Sequence, residues 1–411
     1  MTKNRYFFYI LILGTLTTLG PFSIDLYLPG FPAIATYLHT TTAAVSLSLS
    51  SFFIGISAGQ LLYGPLLDRF GRKKPLYVGL TIYILASFGC VFVKTLDALI
   101  ILRFVQAIGS CAAAVASVAM VRDLFPVKDN AKVFALLMLV VGASPMIAPA
   151  VGGYVTASLG WQSVFLILAA IAFIILIVVI FTLPESYAPD PTFSLKPRPI
   201  LRNFSSVIIK PQFYTYAVSG AFAFSGLFAY VAASPLVFMD VYKVDGKTYG
   251  WIFALLSIGF IGSSQVNSVL LKKYKSDEII LMALVGQVII AAFFYIGASL
   301  NYFNLYGTIG FIFLFLCCVG LTNPNTAALS LAPFSRNAGT ASSLMGAMQL
   351  GVGAIASIAV GMFSAGSAMP MAAIMALTSL IALLILRIGT KNIDKHATNA
   401  LGQSTLFNSP F

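Results

Sequence analysis

Twelve long apolar runs dominate this 411-residue sequence, and they limit what the chain can fold into. Each run has roughly the 20 mostly apolar residues that a helix needs to cross a bilayer. Charged residues make up 9% of the chain and hydrophobic residues 59%, whereas a soluble domain carries about 25% charged residues. The runs are continuous rather than alternating, which argues against a transmembrane β-barrel. The sequence therefore predicts an all-α integral membrane protein.

The predicted membrane-spanning helices form two groups of six. They cover residues 6–28, 43–67, 75–94, 98–121, 131–156 and 162–183, and then residues 212–238, 248–271, 279–299, 303–331, 339–364 and 370–388. We accordingly predict two six-helix bundles over 1–183 and 212–388, a cytoplasmic linker over 184–211 and a cytoplasmic tail over 389–411. The linker is rich in proline, which indicates extended chain without a further helix.

Basic residues are concentrated in alternate connections between the predicted spans. Twenty of the 24 Lys and Arg residues lie at the termini, in the linker or in the loops on the same side, and three lie in the loops opposite. Cytoplasmic loops carry an excess of Lys and Arg, so both termini and the linker are predicted to be cytoplasmic. The net charge of +12 is thus a topology signal, and we expect no nucleic acid among the partners.

The two predicted bundles resemble each other at matching positions. Asp25-x-x-x-Pro29 in the first span is followed 206 residues later by Val231-x-x-x-Pro235 in the seventh. The loop after the second span similarly matches the loop after the eighth. Two six-helix repeats around a midplane site are typical of secondary transporters. The chain has no phosphate-binding G-x-x-x-x-G-K-[ST] string, so an ion or substrate gradient is the expected source of energy.

Four stretches carry a resemblance to a known family. Gly64–Lys74 resembles the signature loop of the major facilitator superfamily, and the residues that carry it are Gly64, Asp68, Arg69, Gly71 and Arg72. Ser23–Pro29, Arg103–Gly109 and Pro149–Gly153 resemble the drug:proton antiporters, and among them the Bcr/CflA (bicyclomycin and chloramphenicol resistance) branch. Some positions depart from those motifs, since Ala107, Ser144 and Ala148 stand where glycine is usual or frequent.

The resemblance implies a fold and a function. It implies twelve helices in two pseudo-symmetric bundles, in a multi-pass protein of the bacterial inner membrane. It also implies that the protein exports small lipophilic or amphipathic drugs in exchange for protons by alternating access. Antibiotic resistance would follow. The antiporter motif would comprise Pro145, Pro149, Gly152 and Gly153. The alternative is a proton-coupled symporter or facilitator of a polar metabolite. We expect a monomer without enzymatic activity, cofactor or metal, whose coupling ion is the proton.

Asp25 and Arg103 are the charged residues that fall well inside the predicted spans. Buried charges are costly and usually have a function and a partner. Asp25 is predicted to carry the proton or meet a cationic substrate; alternatively, it only hydrogen-bonds backbone freed by Pro29. Arg103 is predicted at a similar depth, where its charge would adjust the protonation of Asp25 or bind the substrate. Alternatively, Arg103 reaches outward to lipid headgroups.

Polar and aromatic residues inside the spans predict the substrate cavity. The predicted lining is Tyr27, Gln106, Ser110, Tyr230, Asn323 and Asn325. The two asparagines flank Pro324, and amides in a broken helix usually line a cavity. In the signature loop, Asp68 and Arg72 are predicted to form a charge latch that gates transport, the alternative being a solvated turn whose charges set the topology.

Overall fold

The first half of the molecule consists of seven helices. The structure, a computed structural model, describes residues 3–190, 195–334, 338–362 and 366–406, which contain helices and no strands. Arg336, Pro191 and the last five residues of the predicted tail lie outside these ranges. The helices of the first half are α1 (Lys3–Asp25), α2 (Phe31–Tyr37), α3 (Thr42–Phe70), α4 (Lys73–Val91), α5 (Leu96–Leu124), α6 (Val127–Leu159) and α7 (Gln162–Thr182).

The second half follows a short helix in the linker. The linker helix is α8 (Pro197–Ile208), and the second half contains α9 (Pro211–Pro235), α10 (Gly246–Leu270), α11 (Ser276–Ser299), α12 (Leu305–Leu331), α13 (Ala338–Met362) and α14 (Met369–Leu406). Twelve helical segments of the described chain are long and apolar enough to cross a membrane. The predicted twelve spans are therefore confirmed, although the last helix continues well beyond residue 388.

The prediction that the linker lacks a helix is wrong. Pro197 and Pro199 lie in the first turn of α8, and Pro211 is the first residue of α9. The first turn of a helix has no internal acceptors for its N–H groups, and the fixed φ of proline suits that position. These prolines start helices instead of preventing them.

The first helix of each half breaks near the same end of the molecule. After α1 ends at Asp25, the chain makes a 3₁₀ turn over Leu28–Gly30 and continues as α2. In the second half α9 ends at Pro235 and is followed by a π-helical segment, Leu236–Val241. Proline lacks the N–H that would continue the helical hydrogen bonds. We call this end the far end, and the end that carries α8 the linker end.

The packing of helices repeats between the halves. In the first half α1 packs on α5 and α6, α3 and α4 pack on α5, and α4 packs on α7; α9 to α14 form the equivalent pairs in the second half. Matching glycines allow these contacts. A Cβ on Gly55 would lie 2.7 Å from the carbonyl oxygen of Phe104, and one on Gly259 would lie 3.2 Å from that of Phe313. Small residues let backbones approach closely in membranes.

The two halves meet along two helix pairs, α3 with α13 and α6 with α10. In the first pair, the hydroxyl groups of Ser50 and Ser357 are 2.6 Å apart, and Ser57 donates to the Ala347 carbonyl at 2.8 Å. In the second pair, Gly250 packs directly against the backbone of Ala150. Along these two pairs the halves are therefore joined largely by small residues and single hydrogen bonds, which suits surfaces that separate and re-form.

Gly250→Val is expected to disrupt the contact between α6 and α10. A Cβ on Gly250 would lie 2.6 Å from Ala150 Cα, so the helices must move apart. Such overpacking costs about 1–3 kcal/mol, and thermal unfolding in detergent should begin at a lower temperature. Gly262→Val is the matched control on the same helix, because nothing lies within 4 Å of its Cβ position. Equal melting temperatures for the two variants would contradict this contact.

Candidate functional site

Asp25 lies where both halves of the molecule meet. It is the last residue of α1 and is 6% exposed. The Ser144 side chain on α6 lies beside its carboxyl group. Tyr230 on α9 and Tyr249 on α10 lie close enough for electrostatic interaction with it. One acid of the first half thus lies beside a serine of its own half and within electrostatic range of two tyrosines of the second half.

The surroundings of Asp25 leave its carboxyl group available for chemistry. Within the described chain no backbone N–H donates to it, so the alternative that Asp25 only holds freed backbone is wrong. Ser144 Oγ and Tyr230 Oη are buried without a hydrogen-bond partner of good geometry. Tyr249 Oη is 2.7 Å from Ser234 Oγ. Buried polar groups are normally hydrogen-bonded, so these hydroxyls are suited to a proton carrier or a polar ligand group beside Asp25.

Arg103 is buried in the first half and does not reach the lipid surface. Its exposed fraction is 0%, so the alternative of an arginine that extends to lipid headgroups is wrong. Its Nη1 donates to Gln106 Oε1 at 2.6 Å and its Nη2 to the Ser23 carbonyl oxygen at 3.1 Å. No ion pair joins it to Asp25 within 4 Å. The contact that connects Arg103 to the segment of Asp25 is its hydrogen bond to the Ser23 carbonyl.

Arg103 caps the broken end of α1. The Ser23 carbonyl belongs to the last turn, where carbonyl groups lack helical partners and the helix dipole is negative. The guanidinium also lies 4.6 Å from the ring centre of Tyr27 and 4.2 Å from that of Phe52. The faces of aromatic rings attract cations. The cation is therefore compensated by a helix end and by aromatic rings, and it holds the turn that presents Asp25.

The predicted cavity residues of the first half belong to the same buried network. Gln106 Nε2 donates to Ser87 Oγ at 2.7 Å, and Tyr27 Oη is 2.8 Å from Ser48 Oγ. Ser110 donates to a carbonyl of its own helix at 2.9 Å. Each of the three predicted residues is at most 1% exposed. Gln106 and Tyr27 therefore join helices of the first half, whereas the hydroxyl of Ser110 is satisfied within its own helix.

The prediction of a broken helix at Pro324 is wrong, because α12 runs unbroken from Leu305 to Leu331. Asn325 is buried and donates to Asn267 Oδ1 at 2.6 Å, which joins α12 to α10. Asn323 accepts a hydrogen bond of 2.9 Å from Gln349. Asn325 therefore has a packing role. Asn323 bonds to Gln349, which itself lines a cavity.

A cavity of about 690 Å³ lies between the halves at the linker end. Its lining combines small, polar and charged residues, among them Thr17, Gln60, Gly64, Asp68, Arg72, Arg122, Asp123, Asn203, Phe204, Ser343 and Gln349. None of the six predicted cavity residues is among the lining residues. Single Gln, Ser and Thr residues near span ends are common, so their pattern in the sequence did not indicate this cavity.

Arg72 is the centre of the signature loop. Its Nη1 donates to Asp68 at 2.8 Å and its Nε to Asp123 on α5 at 2.8 Å. Burial opposes its positive charge, but hydrogen bonds and charge attraction from Asp123 and Asp68 outweigh burial and raise the pKa of Arg72. The predicted contact of Asp68 with Arg72 is present, and it extends to a third helix, all within the first half.

The start of the linker is bound to this loop. Glu185 accepts hydrogen bonds from the backbone N–H groups of Arg72 at 2.8 Å and Lys73 at 3.1 Å, where a negative charge suits the N-terminus of α4. Gly71 has a φ of +83°, and a Cβ there would lie 2.9 Å from Glu185. The Tyr187 ring lies 4.3 Å from the Arg72 guanidinium. Glu185 and Tyr187 are absent from the sequence predictions, and the only signal was an acid directly after the sixth span.

The residues that resemble the antiporter motif pack α6 against both halves at the far end. The Cβ position of Gly152 meets the Leu26 carbonyl just after Asp25, and that of Gly153 meets the Gly246 carbonyl at the start of α10. Ser257 of α10 donates to the Pro145 carbonyl at 3.4 Å. These contacts leave no room for larger side chains and bring Ser144 beside Asp25.

Known proteins share both the sequence pattern and the fold. Residues 13–357 match the family described as Major Facilitator Superfamily. The chain is 31% identical to a bicyclomycin resistance protein homolog of Haemophilus influenzae, covering 90% of this chain and 92% of the relative. It is 29% identical to the multidrug resistance protein MdtL of Shewanella oneidensis, covering 84% and 86%. A D-xylose-proton symporter structure, 14% identical, aligns with a TM-score of 0.71 over 93% and 97%, which shows the fold alone.

Arg103→Ala is expected to destabilise the first half. The change removes the donors to Ser23 and Gln106 and leaves a cavity, at about 1–3 kcal/mol for an unsatisfied buried group and more for the cavity. The melting temperature in detergent measures the loss. Arg103→Met should restore part of it because most of the volume is kept. Arg122→Ala, in the last turn of the same helix, is the control, and an equal effect there would contradict the capping role.

Proposed function

Because the chain belongs to the major facilitator superfamily, we propose that this membrane transporter exports small lipophilic or amphipathic drugs in exchange for protons. The relatives named for bicyclomycin and multidrug resistance support a role in drug efflux. The observation that carries the proposal is the position of Asp25. A buried acid at the junction of two halves can bind a proton in one conformation and release it in the other.

The proposed exchange links the protonation of Asp25 to the alternate opening of the two ends. With the linker end open, a drug enters the linker-end cavity and Asp25 loses its proton toward that side. With the far end open, the drug leaves and Asp25 is protonated again. Tyr230 and Tyr249 approach Asp25 from the second half, so the relative movement of the halves changes the surroundings of the carboxyl group. Protonation is thereby coupled to the conformational change.

Proton movement supplies enough free energy for efflux. Each charge that moves inward gains about 2.3 kcal/mol per 100 mV of membrane potential, and each pH unit adds about 1.4 kcal/mol. A tenfold drug gradient requires about 1.4 kcal/mol. One proton per drug molecule is therefore sufficient, without a cofactor or ATP.

We propose that the protein lies in the bacterial inner membrane with its linker end on the cytoplasmic side. Both termini and the linker carry the excess of basic residues that marks the cytoplasmic side. The linker-end cavity then faces the cytoplasm, from which a drug would be collected. We propose a monomer, since a single chain contains both halves of the Asp25 site.

The alternative function is a proton-coupled symporter or facilitator of a polar metabolite. Polar side chains in the linker-end cavity, such as Gln60, Asn203 and Gln349, would suit such a substrate. The direction of coupled movement separates the two functions. In proteoliposomes, an imposed proton gradient drives an exported drug against the proton flow, whereas a symported metabolite moves with it.

Asp25→Asn is expected to keep the protein folded but uncouple it from protons. The amide retains the shape of the side chain and cannot exchange a proton. Proton uptake triggered by a transported drug in proteoliposomes should fall to the level of empty liposomes. Asp97→Asn is the control, because Asp97 is an exposed acid in the first turn of α5. Undiminished uptake in Asp25→Asn would mean that another group couples transport to protons.

Asp68→Asn is expected to slow transport more than it weakens binding. Asp68 holds Arg72 in the signature loop, and loss of this charge-assisted contact should change the rate of interconversion by about tenfold. Equilibrium binding of a drug, measured beside its maximal transport rate, separates the two effects. Lys272→Gln at the equivalent loop of the second half is the control. A large loss of affinity with an unchanged rate would instead give Asp68 a role in binding.

A further inference from the structure

The linker helix α8 exposes a face that is both basic and apolar. With 3.6 residues per turn, Arg198, Leu201, Arg202, Ser205 and Ile208 lie within about 120° of one another around the helix. All five are exposed, Leu201 by 63% and Ile208 by 43%. Residues 196–210 contain no acid. Exposed leucine and isoleucine beside arginine need an occupant that is apolar and negatively charged.

The chain fixes the depth of this face in the membrane. The seventh span begins at Pro211, immediately after Lys210, so the end of α8 lies at the level of the lipid headgroups. Ile209 is 70% exposed there. An amphipathic helix at this level places its apolar side chains at the edge of the acyl chains and its cations among phosphates. The exposed face of α8 has both kinds of group.

We propose that α8 binds anionic phospholipids of the membrane surface through Arg198 and Arg202, with Leu201 and Ile208 inserted beside them and with Lys210, just after the helix, as a further cation at the same level. Arginine donates two parallel hydrogen bonds to a phosphate group, and basic residues near the surface attract anionic lipid. A helix as short as α8 would bind a membrane weakly by itself, but its attachment to α9 holds it at the interface. The arginines then give this bound helix a preference for anionic headgroups.

The opposite face of α8 connects this lipid site to the transport path. Ile200, Asn203 and Phe204 line the linker-end cavity, and Val207 is buried. Helix α8 also packs on α9 and α13 of the second half. Anionic lipid on one face thus fixes the position of a helix whose other face forms the rim of the cavity. The lipid composition is expected to affect the mouth of the cavity through this helix.

The test places an environment-sensitive fluorophore in the middle of the exposed face. The label is attached at Ser205→Cys of the full chain, in a background whose four native cysteines, Cys90, Cys111, Cys317 and Cys318, are replaced by alanine. The protein is reconstituted with brominated phosphatidylglycerol or brominated phosphatidylcholine. We expect stronger quenching by the anionic lipid, with each arginine contributing roughly fivefold in relative lipid affinity.

Charge and apolar variants give separate readouts. Arg198→Gln with Arg202→Gln should abolish the preference for phosphatidylglycerol, and Leu201→Ser with Ile208→Ser should reduce quenching by both lipids. Lys272→Gln with Lys273→Gln, in an exposed loop after α10, removes the same charge elsewhere and should leave the preference intact. Equal quenching of the unaltered face by both lipids, no quenching by either lipid, or an equal loss in the lysine control would each overturn the proposal.

Discussion

The broken end of the first helix must satisfy its own carbonyl groups inside an apolar layer, and much of the first half is arranged around that requirement. No water is available there, so unpaired backbone groups are costly. Arg103 supplies donors to Ser23, and Gln106 and the surrounding rings hold the guanidinium in place. Gly152 then allows α6 to pack on the carbonyl of Leu26. The position of Asp25 is a consequence of these contacts.

The duplicated architecture carries an unequal distribution of chemistry. Both halves use the same helix pairs and matching glycine contacts. Counting from the Phe104 and Phe313 contacts, the position equivalent to Arg103 is Ile312, which is fully buried. The position equivalent to Asp25 is Val231, because Pro29 and Pro235 match in the sequence. The second half instead offers hydroxyl groups, such as Tyr230. The buried pair of Asp25 and Arg103 therefore belongs to the first half alone, and the proposed coupling relies on that half for its charged groups.

The sequence predicted the features that depend on neighbouring residues. Twelve spans follow from local hydropathy, and Asp25 stood out because charge is costly inside a span. Local hydropathy and the cost of buried charge do not predict contacts between distant segments of the chain. Glu185 looks like any acid after a span, yet it caps α4, more than a hundred residues earlier in the chain. The amide of Asn325 suggested a cavity but bonds to Asn267. The prolines of the linker predict extended chain, because the sequence does not show that Pro197 occupies the first turn of a helix.

The linker is attached to both halves, and this attachment limits its length as a tether. Its start is held on the first half, where the Asp190 amide donates to the Asp68 carbonyl at 3.4 Å. Its helix α8 is held on the second half. Seven residue steps separate Asp190 from Pro197, and fully extended chain spans at most about 25 Å over that number. While both attachments persist, the length of this segment limits how far the two halves can separate at the linker end. No covalent connection limits their separation at the far end.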